Sequence, residues 1–313
     1  MHMTPSPREG GAFCSTTMIE IAKDRQLAPK TFFVAPDPII VSETFLETAF
    51  LMGYESYALP HELTGSDAEK LEATIELFDQ TLLFFTLDRK RSLSSCASHV
   101  SELQQQYGRR VRIGVLYDKP EQAETEEAIK RTFGIEIGAT AGCVPLDYSA
   151  RKSRLLLLNL LSANHANGRR KVIRMKCPPT FTFNILAGEI KIEGVLIDLS
   201  TSHFSGHFVS QELDLQVGTK VHNVQLILAG ILLLVNLLVA LKRAEGGKTV
   251  YVFLFHAEQK GSGTDDFLKS KINQLIFHHF QVNTLNKIHA YVEGRKYHAA
   301  TEIKEDSRRS ASS

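Results

Sequence analysis

The chain contains no tryptophan and only four cysteines, Cys14, Cys96, Cys143 and Cys177. No two of them have the spacing of a metal-binding pair, and a disulfide framework is not indicated, which favours a reducing compartment. Net charge is nearly absent as well, because 36 lysines and arginines balance 35 aspartates and glutamates to give +1. This balance excludes a general field that attracts nucleic acid, so any anion site must be local.

The N-terminal segment lacks the apolar core of a signal peptide. Residues 1–29 are mostly small and polar, and we predict them to be disordered, with Met18 as a possible true start. Together with the scattered cysteines, this predicts a cytoplasmic protein.

Residues 30–149 alternate between short apolar runs and amphipathic segments, which predicts strands separated by helices. Such an order is typical of a parallel sheet with helices on both faces. The predicted strands are 31–37, 54–60, 81–88, 110–118 and 135–147. The predicted helices are 42–53, 69–80, 98–108 and 121–134.

This half resembles the receiver domains of two-component systems, which have a flavodoxin-like fold, in size and in the order of its elements. A receiver needs an acidic pair after the first strand, but Asp37 has no acidic neighbour there. Asp88 follows the third strand, where an acceptor would lie. Without the pair there is little to hold Mg²⁺. We therefore expect a receiver-like interaction domain rather than a phosphotransfer domain.

A connecting helix is predicted over residues 150–167, and the character of the chain then changes. β-Branched and aromatic residues predominate, Gly246 and Gly247 indicate a hairpin, and a helix is predicted over 264–280. Residues 284–313 read as a polar tail that is frayed or disordered.

The longest apolar run lies at residues 224–241. A spanning helix needs about 20 apolar residues, so the run just reaches the lower limit. Gly230 divides it into two strand-length pieces, and a polar turn and another apolar strand follow. We therefore predict paired strands rather than a membrane span, although a membrane-anchored form stays open as an alternative.

Two short motifs lie in this second half. Arg170 and Arg174 form an RxxxR pattern, preceded by Arg169, and Asp198 with Ser200 begins a [DN]xSxxG pattern. In order and spacing these motifs resemble the PilZ domain over residues 168–283. The resemblance implies a six-stranded antiparallel β-barrel with a trailing helix, and hence an α+β chain overall.

The resemblance also implies a ligand, the bacterial second messenger cyclic di-GMP. Arginine provides a planar fork for phosphate and a flat face for guanine, while an aspartate can accept from the guanine N1 and N2 donors. The glycine of the second motif is replaced at position 203, and Gly206 comes three residues later. The expected ligand-binding residues are Arg169, Arg170, Arg174, Asp198, Ser200, Ser202 and His203.

The expected function is that of a cyclic di-GMP receptor that signals to an unidentified protein through its receiver-like half, with motility among the compatible processes. No catalytic constellation, cofactor or nucleic-acid partner is indicated. His203 and His207 have HxxxH spacing, but a third metal ligand is not evident. A second hypothesis remains, since His203 in the glycine position also suits a degenerate PilZ adaptor that binds only proteins.

Overall fold

A computed structural model describes residues 29–59, 67–87, 93–119, 123–147, 149–167, 172–187, 190–209, 213–256 and 266–310. The predicted disorder of residues 1–29 falls almost wholly outside these ranges. The strands are β1 Lys30–Val34, β2 Ser56–Leu59, β3 Thr81–Leu87, β4 Val111–Asp118, β5 Gly142–Leu146, β6 Met175–Lys176, β7 Thr182–Ala187, β8 Ile190–Leu199, β9 His203–Phe208, β10 Lys220–Leu228, β11 Ile231–Glu245 and β12 Lys248–Phe255. The helices are α1 Glu43–Leu51, α2 Asp67–Leu77, α3 Leu93–Tyr107, α4 Ala123–Lys130, α5 Ala150–Ala163 and α6 Asp266–Ser310, with a 3-10 turn at Gly108–Arg110 and a π-helical turn at Arg131–Glu136.

The first five strands form a parallel sheet in the order β2-β1-β3-β4-β5. The central strand β3 is buried along its whole length, which explains why its sequence is continuously apolar rather than alternating. Pro145 lies in the edge strand β5, where a missing backbone donor is tolerated. The predicted parallel α/β fold of this half is confirmed.

The remaining strands form a closed antiparallel barrel. Strands β8, β7, β10, β11, β12 and β9 are hydrogen-bonded in that order, and β9 pairs again with β8 to close the ring. The two-residue strand β6 pairs with the end of β8 on the edge that also carries β7, and Pro178 and Pro179 separate β6 from β7. The expected six-stranded barrel and the α+β class of the chain are therefore confirmed.

The apolar run at 224–241 folds as strand, turn and strand. Ala229 and Gly230 form a two-residue turn between β10 and β11, with φ values of 50° and 81°. The alternative that required this run to span a membrane as a helix is therefore wrong. Among the described helices, none combines the length and apolarity needed to cross a bilayer.

The C-terminal helix α6 is much longer than predicted. It continues from Asp266 to Ser310, so the segment expected to be a frayed polar tail is helical through 310. Its buried apolar side chains divide between two cores. Ile272 and Ile276 pack in the barrel core, whereas Phe277, Ile288 and Val292 pack in the core of the α/β unit.

Candidate functional site

The end of strand β8 brings the two sequence motifs together. Strand β6 pairs antiparallel with it, so that Met175 lies opposite Leu199 and Lys176 opposite Asp198. Arg174 directly precedes β6 and Ser200 directly follows β8, next to the paired Met175 and Leu199. Arg174 is exposed. The second arginine of RxxxR and the serine of DxS, 26 positions apart in sequence, are thus neighbours at one end of the barrel.

Arg169 and Arg170 lie outside the described residues, so only the final arginine of the first motif is located. The described chain resumes at Val172 and enters β6 three residues later. It leaves off at Asn167, which forms an isolated antiparallel bridge with Tyr54 of the α/β unit. The residues between Asn167 and Val172, here called the basic segment, therefore connect the bridge to the α/β unit with the rim of the barrel.

Asp198 stands on the outer face of the barrel. Leu199 and Phe204 are fully buried inside it, so their neighbours Asp198 and Ser205, which are paired across β8 and β9, point outward. The Oδ1 atom of Asp198 accepts a hydrogen bond from the Ser205 backbone N–H at 3.2 Å. With Lys176 on its other side, this half-buried carboxylate is fixed in a row of outward-facing polar residues.

Ser200 is completely buried and its hydroxyl is engaged inside the turn between β8 and β9. The hydroxyl lies 2.9 Å from the His203 carbonyl oxygen, 3.1 Å from the His203 backbone nitrogen and 2.9 Å from the imidazole Nδ1. The Ser202 hydroxyl also lies 2.9 Å from this Nδ1. Ser200 thus shapes the turn, in the manner of a local side-chain cap, and does not face solvent.

His203 occupies the motif's glycine position without backbone strain. It is not one of the described non-glycine residues with a positive φ. Gly206 is explained by packing and not by a displaced motif. A Cβ there would lie 2.7 Å from the Val195 carbonyl oxygen and 2.8 Å from the Phe183 ring. Glycine is required at 206 for close approach inside the barrel, and not at 203.

Ser205 was missed by the motif argument. Its side chain is buried and its hydroxyl has no hydrogen-bond partner, an arrangement that is rare for a buried polar group. It lies between Asp198 on β8 and Val252 on β12. The alternation of the sequence FSGHF, with phenylalanines inward, was the signal that places Ser205 on the same outer face as Asp198.

Cys177 lies beside this row but is not a nucleophile. Burial, with the charge of Asp198 as a smaller contribution, raises the pKa of the Cys177 thiol to about 12. The thiol is therefore protonated at neutral pH and lacks the thiolate character that reactive cysteines need.

The two histidines with HxxxH spacing do not converge. Four residues along a strand correspond to roughly 13 Å, since each residue advances about 3.3 Å. His203 contacts the turn serines, whereas His207 Nε2 accepts from Lys248 Nζ at 2.9 Å. Nowhere in the described ranges do three His, Cys, Asp or Glu side chains gather as a metal site would require.

The carboxyl edge of the parallel sheet, where a receiver would hold its acceptor, carries acidic residues that cap turns. Asp37 Oδ1 accepts from the backbone N–H of Ile39 at 2.7 Å, and Asp147 Oδ1 accepts from that of Ser149 at 2.8 Å. Asp88, at the end of the third strand, lies outside the described residues. Asp37 and Asp147 therefore act as turn caps.

Comparisons with known proteins give only structural likenesses. No family model matches the chain, and no curated protein matches it. The chain is similar to the PilZ domain of YcgR from Escherichia coli, solved with c-di-GMP (16% identity, 35% of this chain, 90% of that one, TM-score 0.28). It is also similar to the Bacillus subtilis inhibitor of motility MotI (14% identity, 38% of this chain, 52% of that one, TM-score 0.28). A third similar structure is the MrkH–c-di-GMP complex of K. pneumonia (14% identity, 37% of this chain, 53% of that one, TM-score 0.31). The chain spans about half the length of these last two.

Proposed function

We propose that this chain is a cyclic di-GMP receptor and not an enzyme, acting in the cytoplasm. The observation that carries the proposal is the register of β6 on β8, which pairs Lys176 with Asp198, while Arg174 directly precedes β6 at the same end of the barrel. Two cationic side chains thus flank a carboxylate on the outer surface of a closed barrel. This pattern matches a ligand that has anionic phosphates next to guanine edges rich in donors.

Each residue has a distinct role in this proposal. Arg174 contacts a phosphate and stacks on guanine, together with Arg169 and Arg170 from the basic segment. Asp198 accepts from the guanine N1 and N2 donors. Its position is fixed by the hydrogen bond from Ser205 N–H, so little ordering is needed when the ligand arrives.

The first experiment is isothermal titration with cyclic di-GMP. Losing a charged hydrogen-bonding partner costs about 1.5–3 kcal/mol, so Arg174→Ala is expected to bind roughly 10- to 100-fold more weakly. Arg243→Ala is the matched control, because Arg243 is an exposed arginine of the same barrel that pairs with Glu245 at the far end of β11. Equal affinity in wild type and Arg174→Ala would contradict the proposed site.

We further propose that the ligand signals through the segment between Asn167 and Arg174. One end of this segment is bridged to Tyr54 of the α/β unit and the other enters the barrel. A ligand that contacts this segment and the barrel together would favour one arrangement of the two units, provided that it binds that arrangement more tightly. The α/β unit would then present the change to a protein partner. An identical small-angle scattering profile with and without ligand would argue against this step.

The second candidate is a protein-binding adaptor without nucleotide, and two observations favour it. The Ser200 hydroxyl is already satisfied by the turn and by His203. In addition, the outer face of β11 exposes Leu232 and Leu234 to 56% and 64%, which suits a protein interface. His203→Gly separates the two candidates, because it removes the imidazole Nδ1 that contacts the Ser200 hydroxyl and restores the family glycine. Binding gained only in this variant would favour the adaptor.

A further inference from the structure

The amino edge of the parallel sheet carries a feature that the site described above does not include. Here a cleft of about 510 Å³ opens between the end of α3, the start of β4 and the loop before β5. Its volume falls within the range of about 300–1,000 Å³ that is usual for small-molecule sites. The residues that matter to the argument are Gln104, Arg109, Arg112, Ile137, Gly138 and Thr140.

The cleft carries positive charge without a matching carboxylate. Arg109 and Arg112 both line it, and no lining residue is acidic. Arg109 forms no hydrogen bond or ion pair within the described part of the chain. Arg112 donates from Nη1 to the Asn164 carbonyl oxygen at 2.8 Å, a neutral partner. Two arginines thus line one concavity, and no carboxylate of the lining compensates their charge.

The cleft is also fixed in shape. The Arg112–Asn164 hydrogen bond holds one guanidinium in place, and Asn164 is in turn tied to the Ala141 carbonyl oxygen at 3.0 Å. Gln104 Nε2 donates to the Gly138 carbonyl oxygen at 3.2 Å, which joins α3 to the loop. An arginine that is held in advance loses less conformational freedom when it binds a ligand.

The backbone at the mouth leaves room for a ligand. Gly108 and Gly138 have φ values of 54° and 70°, and a Cβ at either position would meet no atom within 4 Å. The loop that carries Gly138 follows the π-helical turn Arg131–Glu136. Turns of this kind are rare and occur frequently at functional sites.

We propose that this cleft binds a small oxyanion, a phosphate- or carboxylate-bearing metabolite, through Arg109 and Arg112. Both groups offer oxygen atoms that a guanidinium fork can bind bidentately. The site is independent of the proposed cyclic di-GMP site, since its lining residues all belong to the α/β unit. Either proposal can therefore fail without the other.

The test is an NMR titration of the full chain with inorganic phosphate and, separately, with citrate, at constant ionic strength. We expect saturable shifts of the Gly108 and Gly138 amides with at least one of the two anions. The anion that produces them identifies the ligand as phosphate-like or carboxylate-like, and shifts with both indicate a general oxyanion site.

Two matched variants locate the effect. Arg109→Gln is expected to weaken binding at least tenfold. Arg110→Gln is expected to change it less than twofold, because Arg110 donates to the Ile75 carbonyl oxygen and does not line the cleft. Arg243→Ala, on the barrel, should leave the shifts of the Gly108 and Gly138 amides unchanged. Shifts that do not saturate, or that weaken equally in the Arg109 and Arg110 variants, would overturn the proposal.

Discussion

Phe183 organises the interior of the barrel at the scale of single residues. Its phenyl ring lies against the backbone of Gly194 on β8 and of Gly206 on β9, two strands that pair with each other in the barrel. It also contacts three aromatic rings with centroid distances of 5.4–5.6 Å, those of Phe204, Phe208 and Phe253. The two glycines therefore leave the space that the Phe183 ring fills, and a larger residue at either glycine would collide with the ring.

Gly206→Ala is expected to destabilise the barrel by about 1–3 kcal/mol, because the new methyl group meets the Val195 carbonyl and the Phe183 ring. Gly294→Ala is the matched control. It lies exposed in α6 with no atom near the added Cβ, so alanine there should stabilise by up to about 1 kcal/mol. Urea denaturation measures both, and a neutral Gly206→Ala would show that the aromatic cluster is loosely packed.

We expect His207 to make stability depend on pH. Burial, and to a lesser extent the charge of Lys248, lowers the pKa of His207 below its usual 6.5. The unfolded chain then binds this proton more readily than the folded chain. The free energy of unfolding that neutral His207 contributes is fully present above pH 6.5. It is lost as the pH falls from 6.5 toward the lowered pKa of the folded state.

We expect wild-type unfolding free energy to decrease on acidification through this window. In His207→Gln the decrease should be smaller, because glutamine accepts from Lys248 but does not titrate. Lys248→Met should also reduce the pH dependence, since it removes one cause of the lowered pKa. Chemical denaturation between pH 5 and 8 is the measurement, and parallel profiles for all three proteins would refute the assignment.

At the scale of elements, the β10–β11 hairpin contains a turn that its sequence does not fully match. Both Ala229 and Gly230 have positive φ, a conformation that suits Asn-Gly much better than Ala-Gly. We predict that Ala229→Asn raises the free energy of unfolding by up to about 1 kcal/mol, and that Gly230→Ala lowers it. Thermal unfolding of the two variants measures this pair of opposite shifts. Destabilisation by Ala229→Asn would contradict the turn geometry.

Elements with a local signal could be predicted from the sequence. The buried strand β3, the helix α1 and the division of the 224–241 run at Gly230 all follow from apolar pattern and turn chemistry. Helix α6 could not be bounded in this way. Its positions Thr284, Ile288 and Val292 continue the buried stripe, but their partners lie some 200 residues earlier, so the polar sequence around them read as a tail.

The residues of the candidate site could be predicted from the sequence, but which of their side chains are free to contact a ligand could not. The motifs named Arg174 and Asp198, and strand pairing brings them to one rim. Ser200 is turned into its own loop by contacts with the backbone and the imidazole of His203, which no motif encodes. The cleft at Arg109 and Arg112 was not foreseen, because its walls come from three segments that only the fold brings together.

At the scale of the whole molecule, α6 joins the two units. Phe277 packs against Phe50 of α1 with ring centroids 5.2 Å apart, while the adjacent Ile276 packs in the barrel. Asn273 Nδ2 donates to the Glu47 carbonyl oxygen at 3.0 Å. Any rearrangement of the units must therefore break contacts along α6 or carry the helix with one unit.

Phe277→Ala is expected to destabilise the α/β unit by about 3–5 kcal/mol through the cavity it leaves. Hydrogen exchange should then accelerate in α1 and in the sheet, whereas the barrel strands keep their protection. Val282→Ala, at a 39% exposed position of the same helix, is the control and should have little effect. Faster exchange throughout both units would indicate that they unfold as one.

The shared helix has a consequence for biosynthesis. The α/β unit is translated first, with its last strand ending at Leu146, yet Ile288 and Val292 belong to its core. At about 5–20 residues per second, the roughly 150 residues in between delay completion of that core by about 7–30 s. During this interval the nascent chain exposes the apolar surface that α6 later covers. We therefore expect premature termination before α6 to yield a chaperone client rather than a folded N-terminal fragment.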